Sequence, residues 1–295
     1  MDIVNPQIDS QQAIMPVRRD LRFQLPAERI ADWHPAGREA SLIFGALSLT
    51  FPEGERMFIR SVRELRDRIR SPELDRQVAG FIGQEAMHGR EHQSYNDLLR
   101  DAGYPVAEID ERILHNIGQV ETNLPPAGRL AVTMALEHWT AILANVMLRE
   151  PEVLAGAEPH YLRLWRWHAL EETEHKAVAF DVYREVIGSS AKAYWLRVSV
   201  LFSVTCQFWV HIYQFYSRLQ QADDAKRGRR SSFWRRLSSF LKFGFVTPGI
   251  LRKVIPAWLS YYRPGFHPWD ENNRRFLDEL PQLEQELRAG YAAQS

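Results

Sequence analysis

Two pairs of side chains, Glu85 with His88 and Glu172 with His175, stand three residues apart. Residues at i and i+3 of a helix project from one face, so a carboxylate and an imidazole at that spacing can reach the same ion. Glu55 and Glu137 have no such companion, yet each stands in an apolar row at helical spacing. Phe58, Ile59, Val62 and Leu65 accompany the first; Leu130, Met134, Ala141 and Ala144 accompany the second. An ionised carboxylate buried without a partner costs several kcal/mol or is forced to take up a proton. Four aimed at a common core need more positive charge than the rows supply, and bound cations would provide it. The chemistry these spacings point to is therefore the binding of two metal ions.

His168 lies four residues before Glu172 and extends the local pattern to HxxxExxH. It is the expected third imidazole ligand, with a hydrogen-bonding role behind the ligands as its other reading; His92, four after His88, competes for the place. The predicted metal-binding set is Glu55, Glu85, His88, Glu137, His168, Glu172 and His175. A Glu from each of two helices and an ExxH pair from each of two others is the ligand scheme of bundle-type di-iron and di-manganese carboxylate proteins. Oxygen and nitrogen donors with no thiolate beside them favour two iron ions, with manganese or a mixed iron and manganese pair also open. His138 adjoins Glu137 and so points elsewhere, while Glu171 and Glu174 flank the core face as solvated or supporting groups. Tyr95 and Trp165 read as core rings, with a redox-active or substrate-contacting role near the metals as their other reading.

The elements that must position these residues are long helix-period segments. One is expected over residues 55–69, after a break at Pro52 to Gly54; others run over 73–100, 128–148 and 159–187. Glu53 shares its face with Arg56 and Arg60 and is read as solvent-facing. The architecture expected is all-α, a ferritin-like four-helix bundle with additional C-terminal helices. Residues 1–50 would form an N-terminal segment and lead-in helix, residues 51–190 the bundle, and residues 191–295 an aromatic and basic helical region. Within that last region, Ala193 to Phe215 is strongly apolar. Arg197, Gln207 and His211 interrupt it, so a buried fifth helix is expected rather than a membrane span, which needs about 20 predominantly apolar residues. From Arg218 to Lys253 ten basic and two acidic residues alternate with aromatic ones, a pattern suited to a membrane surface or to a solvated basic face.

The 37 basic residues balance the 37 acidic ones, which leaves no general field to attract nucleic acid. A single cysteine, Cys206, excludes an intramolecular disulfide framework, and in its apolar run it is expected to be a small core residue. With the polar stretch Met1 to Gln12, this points to the cytoplasm, with the inner face of the membrane as a second location.

The segments FPEGERMFIRSVR, FIGQEAMHGREH, ALEHWTAILA and WHALEETEHKAVAFDVY resemble the bacterial family of predicted metal-dependent hydrolases, from about Pro16 to past Tyr216. More distantly, the order E, ExxH, E, HxxxExxH is similar to that of the di-iron p-aminobenzoate N-oxygenases. That resemblance implies that Glu55, Glu85, His88, Glu137, His168, Glu172 and His175 are metal ligands; it does not carry an arylamine substrate. The function expected is that of a di-iron, O2-activating oxidoreductase that hydroxylates, desaturates or N-oxygenates a hydrophobic substrate. The alternatives are a dinuclear metal-dependent hydrolase and a non-enzymatic iron-binding protein. The expected partners are O2, a hydrophobic or lipid-like small molecule, an electron donor the residues do not identify, a peripheral membrane contact and a second copy of the chain.

Overall fold

A computed structural model describes residues 14–292; the stretch Met1 to Gln12 lies outside them. Among the described residues the chain is helical with no strand. Its helices are α1 (Arg38–Arg63), α2 (Pro72–Asp101), α3 (Val106–Asn123), α4 (Pro126–Arg149), α5 (Pro159–His175), α6 (Val178–Val186), α7 (Ala191–Lys226), α8 (Phe233–Phe245), α9 (Ile250–Ser260) and α10 (Leu280–Ala292). Local chemistry sets several of the starts. Ser71 accepts a hydrogen bond from the Leu74 amide with Pro72 at the first helical position, and the Glu158 carboxylate caps α5 through the amides of His160 and Tyr161. α1 packs chiefly on α2 and α4 on α5, which makes a helical bundle around one continuous apolar core.

Four expectations about these elements need correction. The break at Pro52 to Gly54 is absent, because α1 runs through it without interruption and joins residues 50 and 51 in one helix. A proline inside a helix leaves the carbonyl four residues earlier without its N–H partner. Here that carbonyl belongs to Ser48, and the Asn96 side-chain amide donates to it at 3.2 Å, which relieves the loss. The segment expected as one helix over residues 159–187 is instead divided at Lys176 and Ala177 into α5 and α6. The turn buries Lys176, whose ammonium donates to the Glu271 carbonyl at 2.8 Å and to Asn273 at 2.7 Å.

The apolar stretch of α7 is the third correction. α4 and α7 are both long and apolar enough to cross a membrane, but 78% of the most apolar window of α4 is buried against only 22% of that of α7. α7 buries Leu201, Ile212, Phe215 and Leu219 against the bundle and turns Trp195, Phe202 and Val210 outward. Cys206, the fourth correction, lies exposed on this helix. Hydropathy reports that a side chain is apolar and not what covers it.

Before α1, residues 14–23 run without regular structure across α2. Gln77 donates to the Ile14 carbonyl at 3.1 Å and Gln84 to the Val17 carbonyl at 3.2 Å. The approach is close because Gly80 and Gly83 have no Cβ; one at Gly80 would stand 2.1 Å from the Pro16 carbonyl oxygen.

Candidate metal centre

α1 contributes Glu55 to the interior of the bundle, α2 Glu85 and His88, α4 Glu137, and α5 His168, Glu172 and His175; all seven side chains are buried. They form three overlapping groups: Glu55, His88 and His168; Glu85, Glu137 and His175; and Glu85, His88 and Glu172. Within each group the potential ligand atoms lie within 4.8 Å of one another. The Glu172 Oε1 atom stands at the centre, 3.2 Å from His168 Nε2, 3.6 Å from His175 Nε2 and 3.7 Å from His88 Nδ1.

The hydrogen-bond accounting shows which way each group faces. Both oxygens of Glu55, Glu85 and Glu137 have no hydrogen-bond partner, and neither have His88 Nδ1, His168 Nε2 and His175 Nε2. Buried polar atoms are almost always satisfied, so nine unpartnered ones in these overlapping groups require an explanation. The second nitrogen of each imidazole is engaged outside the cluster. His175 Nδ1 meets Gln84 Oε1 at 2.9 Å; this oxygen can only accept, so Nδ1 carries the proton and Nε2 turns a lone pair to the cluster. His88 Nε2 meets the Glu171 carboxylate at 3.1 Å, which leaves Nδ1 as its lone-pair face.

For His168 the polarity is set by a longer chain. The Ser48 carbonyl accepts from Asn96 Nδ2, so Asn96 Oδ1 is the acceptor facing Ser48 Oγ, which donates to it at 2.9 Å. Ser48 Oγ then accepts from His92 Nδ1 at 2.9 Å, and His92 Nε2 accepts from His168 Nδ1 at 2.9 Å. Burial, followed by the nearby His168, holds His92 well below its ordinary pKa and therefore neutral, as this arrangement requires. Both nitrogens of His92 are used, whereas His168 offers Nε2 to the carboxylates. The rings of His92 and His168 both pack on Phe51, with centroids 4.5 and 4.6 Å away.

Electrostatics leads to the same conclusion. Burial, and then mutual repulsion, pushes Glu55, Glu85 and Glu137 well above the usual carboxylate range. Burial opposes ionisation of Glu172 too, and His175 and His168 outweigh it and hold this carboxyl well below the range only when the nitrogens facing it carry protons, which the lone-pair orientation of both rings denies. Protein groups alone thus leave four carboxylates unable to share one charge state, a conflict that divalent cations remove. Donor chemistry, unpartnered atoms and charge all fit a metal-binding role for this cluster.

Other side chains hold the cluster in place, and spacing did not single them out. Arg19, from the segment before α1, forms a bidentate pair with Glu174 at 2.8 and 3.0 Å and reaches Glu171 at 3.1 Å. Glu171 and Glu174 are both buried, so the solvated alternative for them is corrected; burial raises Glu171 to about 7 against the pull of Arg19. Gln84 donates to Glu174 as well, and Thr140 donates to Glu172. His138 stands away from the cluster with its ring on Tyr261. Tyr95 is core, its hydroxyl accepting from the Trp33 indole at 2.9 Å, and Trp165 lies in the wall of a cavity.

That cavity has a volume of about 50 Å³ and an almost wholly apolar lining. His168, Thr140 and Phe51 bound it beside the cluster, while Phe243 and Gly244 of α8 and Leu251 of α9 bound it beneath the C-terminal helices.

A helical bundle with a buried cluster of carboxylates and imidazoles defines a class, the metal-binding helical bundles. More particularly, the chain belongs to the family described as predicted metal-dependent hydrolase, whose profile matches residues 17–272. Comparison with curated proteins and with solved structures finds no match.

Proposed function

We propose that the chain is a dinuclear metalloenzyme that holds two iron ions and uses O2 to oxidise a hydrophobic organic substrate. The observation that carries this reading is the set of nine unpartnered donor atoms from four helices, of whose residues His168 also lines an apolar cavity. Glu55, His88 and His168 would hold one ion and Glu85, Glu137 and His175 the other, with Glu172 between them. The helix order of these ligands is that of ferritin-like di-metal bundles. Iron bound there would supply the electron transfer to O2 that amino-acid side chains do not.

The chain's own groups have definable tasks. Gln84, Glu171 and His92 fix the three ligand imidazoles with their lone pairs inward, and Thr140 orients Glu172. The apolar cavity beside His168 excludes water, and at about 50 Å³ it must widen to admit an apolar substrate, since benzene needs about 150 Å³. A hydroxylation balances when one O2, one substrate C–H bond, two protons and two electrons from an external reductant give an alcohol and water.

A second reading, a dinuclear hydrolase, follows the family's description more directly than the oxidoreductase reading does. In it the same side chains would hold ions that activate water for attack on an ester or phosphate. Metal content per chain, measured beside Glu85→Ala and Glu172→Ala, tests the common part: about two ions lost in both variants supports it, and no bound metal in the natural protein overturns it. Mixing the reduced iron protein with O2 separates the readings. A transient visible absorption band supports oxidation. Zinc alone, with turnover of esters or phosphates and no reaction with O2, would leave hydrolysis.

A further inference from the structure

The C-terminal helices present an apolar face that the bundle does not cover. On α7 it consists of Trp195, Phe202 and Val210; on α8 of Trp234, Leu241 and Phe245; on α9 of Ile255 and Leu259; all are exposed. Their spacings of four, seven and eight keep each set on one side of its helix. The three helices are packed together: the Trp258 indole of α9 donates to Thr205 of α7 at 3.0 Å, and the rings of Tyr213 of α7 and Phe240 of α8 meet with centroids 5.4 Å apart. Soluble chains rarely leave so many large apolar side chains exposed on helices packed side by side.

We propose that this face docks on the surface of an anionic phospholipid bilayer, with α8 lying in the interface. Charge identifies the occupant. No acidic residue lies between Asp224 and Asp270, whereas Arg229, Arg230, Arg235, Lys242 and Arg252 in that stretch are exposed. Arg235 and Lys242 adjoin Trp234 and Leu241, so the outward stripe of α8 carries apolar and basic side chains together. Lipid headgroups supply the negative charge, acyl chains accept the rings, and tryptophan suits the boundary between them. A second copy of the chain would bring the same positive charge to the contact. α7 lies along the bundle with Leu201, Ile212 and Leu219 buried, so the face rests on the membrane and does not cross it.

The placement also gives the cavity a source of substrate. Gly244 and Phe243 of α8 and Leu251 of α9 line it, as does His168. A lipid-like substrate held in the acyl layer would lie on the same C-terminal helices that line the cavity, which at about 50 Å³ must widen to receive it. This second half rests on the apolar-substrate reading; the docking itself does not.

The test is co-sedimentation of the full-length protein with vesicles of phosphatidylglycerol and phosphatidylcholine, with vesicles of phosphatidylcholine alone as comparison. Binding to the anionic vesicles is expected, weakened by salt and equal for metal-loaded and metal-free protein, so failure here is distinct from failure of the metal reading. Each basic residue near the surface contributes about fivefold to affinity, so Arg235→Ser with Lys242→Ser should weaken binding roughly twenty- to thirtyfold. Trp234→Glu with Phe245→Glu, both at exposed positions, should abolish it while the helical circular dichroism spectrum is retained. Absence of binding to anionic vesicles, or binding unchanged in both variants, overturns the proposal. So does a dimer in solution that the Trp234 and Phe245 pair of changes converts to monomer while vesicle binding persists.

Discussion

The contact between Gly80 and the segment before α1 makes a prediction whose sign is opposite to ordinary expectation. Alanine is the better helix former by about 1 kcal/mol, so Gly→Ala inside a helix normally stabilises. At Gly80, however, the new Cβ would lie 2.1 Å from the Pro16 carbonyl oxygen and 2.9 Å from its carbon. A relaxed carbon-to-oxygen contact is about 3.3 Å, so the segment must retreat by roughly 1 Å. The obstacle is backbone, which cannot rotate aside as a side chain can. The neighbouring bonds from Gln84 to Val17 and from Arg19 to Glu171 and Glu174 resist the movement. Overpacking of this kind costs about 1–3 kcal/mol, and after the helix gain of about 1 kcal/mol a net loss of up to about 2 kcal/mol is the expected result in urea unfolding followed by circular dichroism. Gly118 in α3 has nothing within 4 Å of its virtual Cβ, so Gly118→Ala should instead stabilise by about 0.5–1 kcal/mol. Since Gln84 also bonds His175, Gly80→Ala should weaken metal binding as well, which Gly118→Ala should not. If both variants are stabilised alike, the segment is not pressed on α2 and the reasoning fails.

Asn96→Asp is nearly isosteric but removes the donor facing the Ser48 carbonyl; leaving that buried acceptor unsatisfied should cost about 1–3 kcal/mol and loosen metal binding about 10- to 100-fold, readable by competition with a chelator. Unchanged affinity in Asn96→Asp would mean that the chain through His92 does not orient His168. His34 is buried, and burial lowers it from 6.5 to about 4. Such a base contributes fully above 6.5 and loses its contribution as pH falls toward 4. The difference in stability from His34→Phe should therefore shift by about 3 kcal/mol across that window, and a flat difference in melts at successive pH values would refute it. Asp223 accepts from Tyr104 at 2.9 Å and pairs with Arg38; burial opposes ionisation, yet these partners outweigh it and lower its pKa. A lowered carboxyl stabilises above its ordinary value of 3.8 and loses that contribution as pH falls below it, so Asp223→Asn should cost about 1.5–3 kcal/mol near neutrality and progressively less in acid.

The helices that carry the site were legible because a carboxylate in an apolar row is conspicuous. Glu55 and Glu137 were found by that contrast alone, and both are buried where the rows placed them. α3 went unanticipated although its buried Val106, Ile109 and Ile113 stand at spacings of three and four, since that apolar row holds no carboxylate or imidazole to draw the eye. The covering of α7 was misjudged because its Trp, Phe and Val residues would read the same in a core or on a lipid surface. Arg19 and Gln84 were not legible at all. Arg19 meets Glu174 across 155 positions of chain, from a segment without periodicity, and nothing in local spacing announces such a meeting.

The difference between His92 and His168 shows what helical spacing leaves out. Helical spacing puts both on inward faces, and both are buried, so neither periodicity nor burial separates them. What separates them is that an imidazole has two nitrogens and a fixed number of protons. His92 spends both nitrogens on Ser48 and His168, while His168 spends one and turns the other to Glu172. The direction of every bond in that chain follows from one backbone carbonyl, at Ser48, that can only accept. It is available because Pro52, four residues on, has no N–H to claim it. The proline that reads in the sequence as a break ahead of a helix thus releases the acceptor from which the orientation of His168 follows.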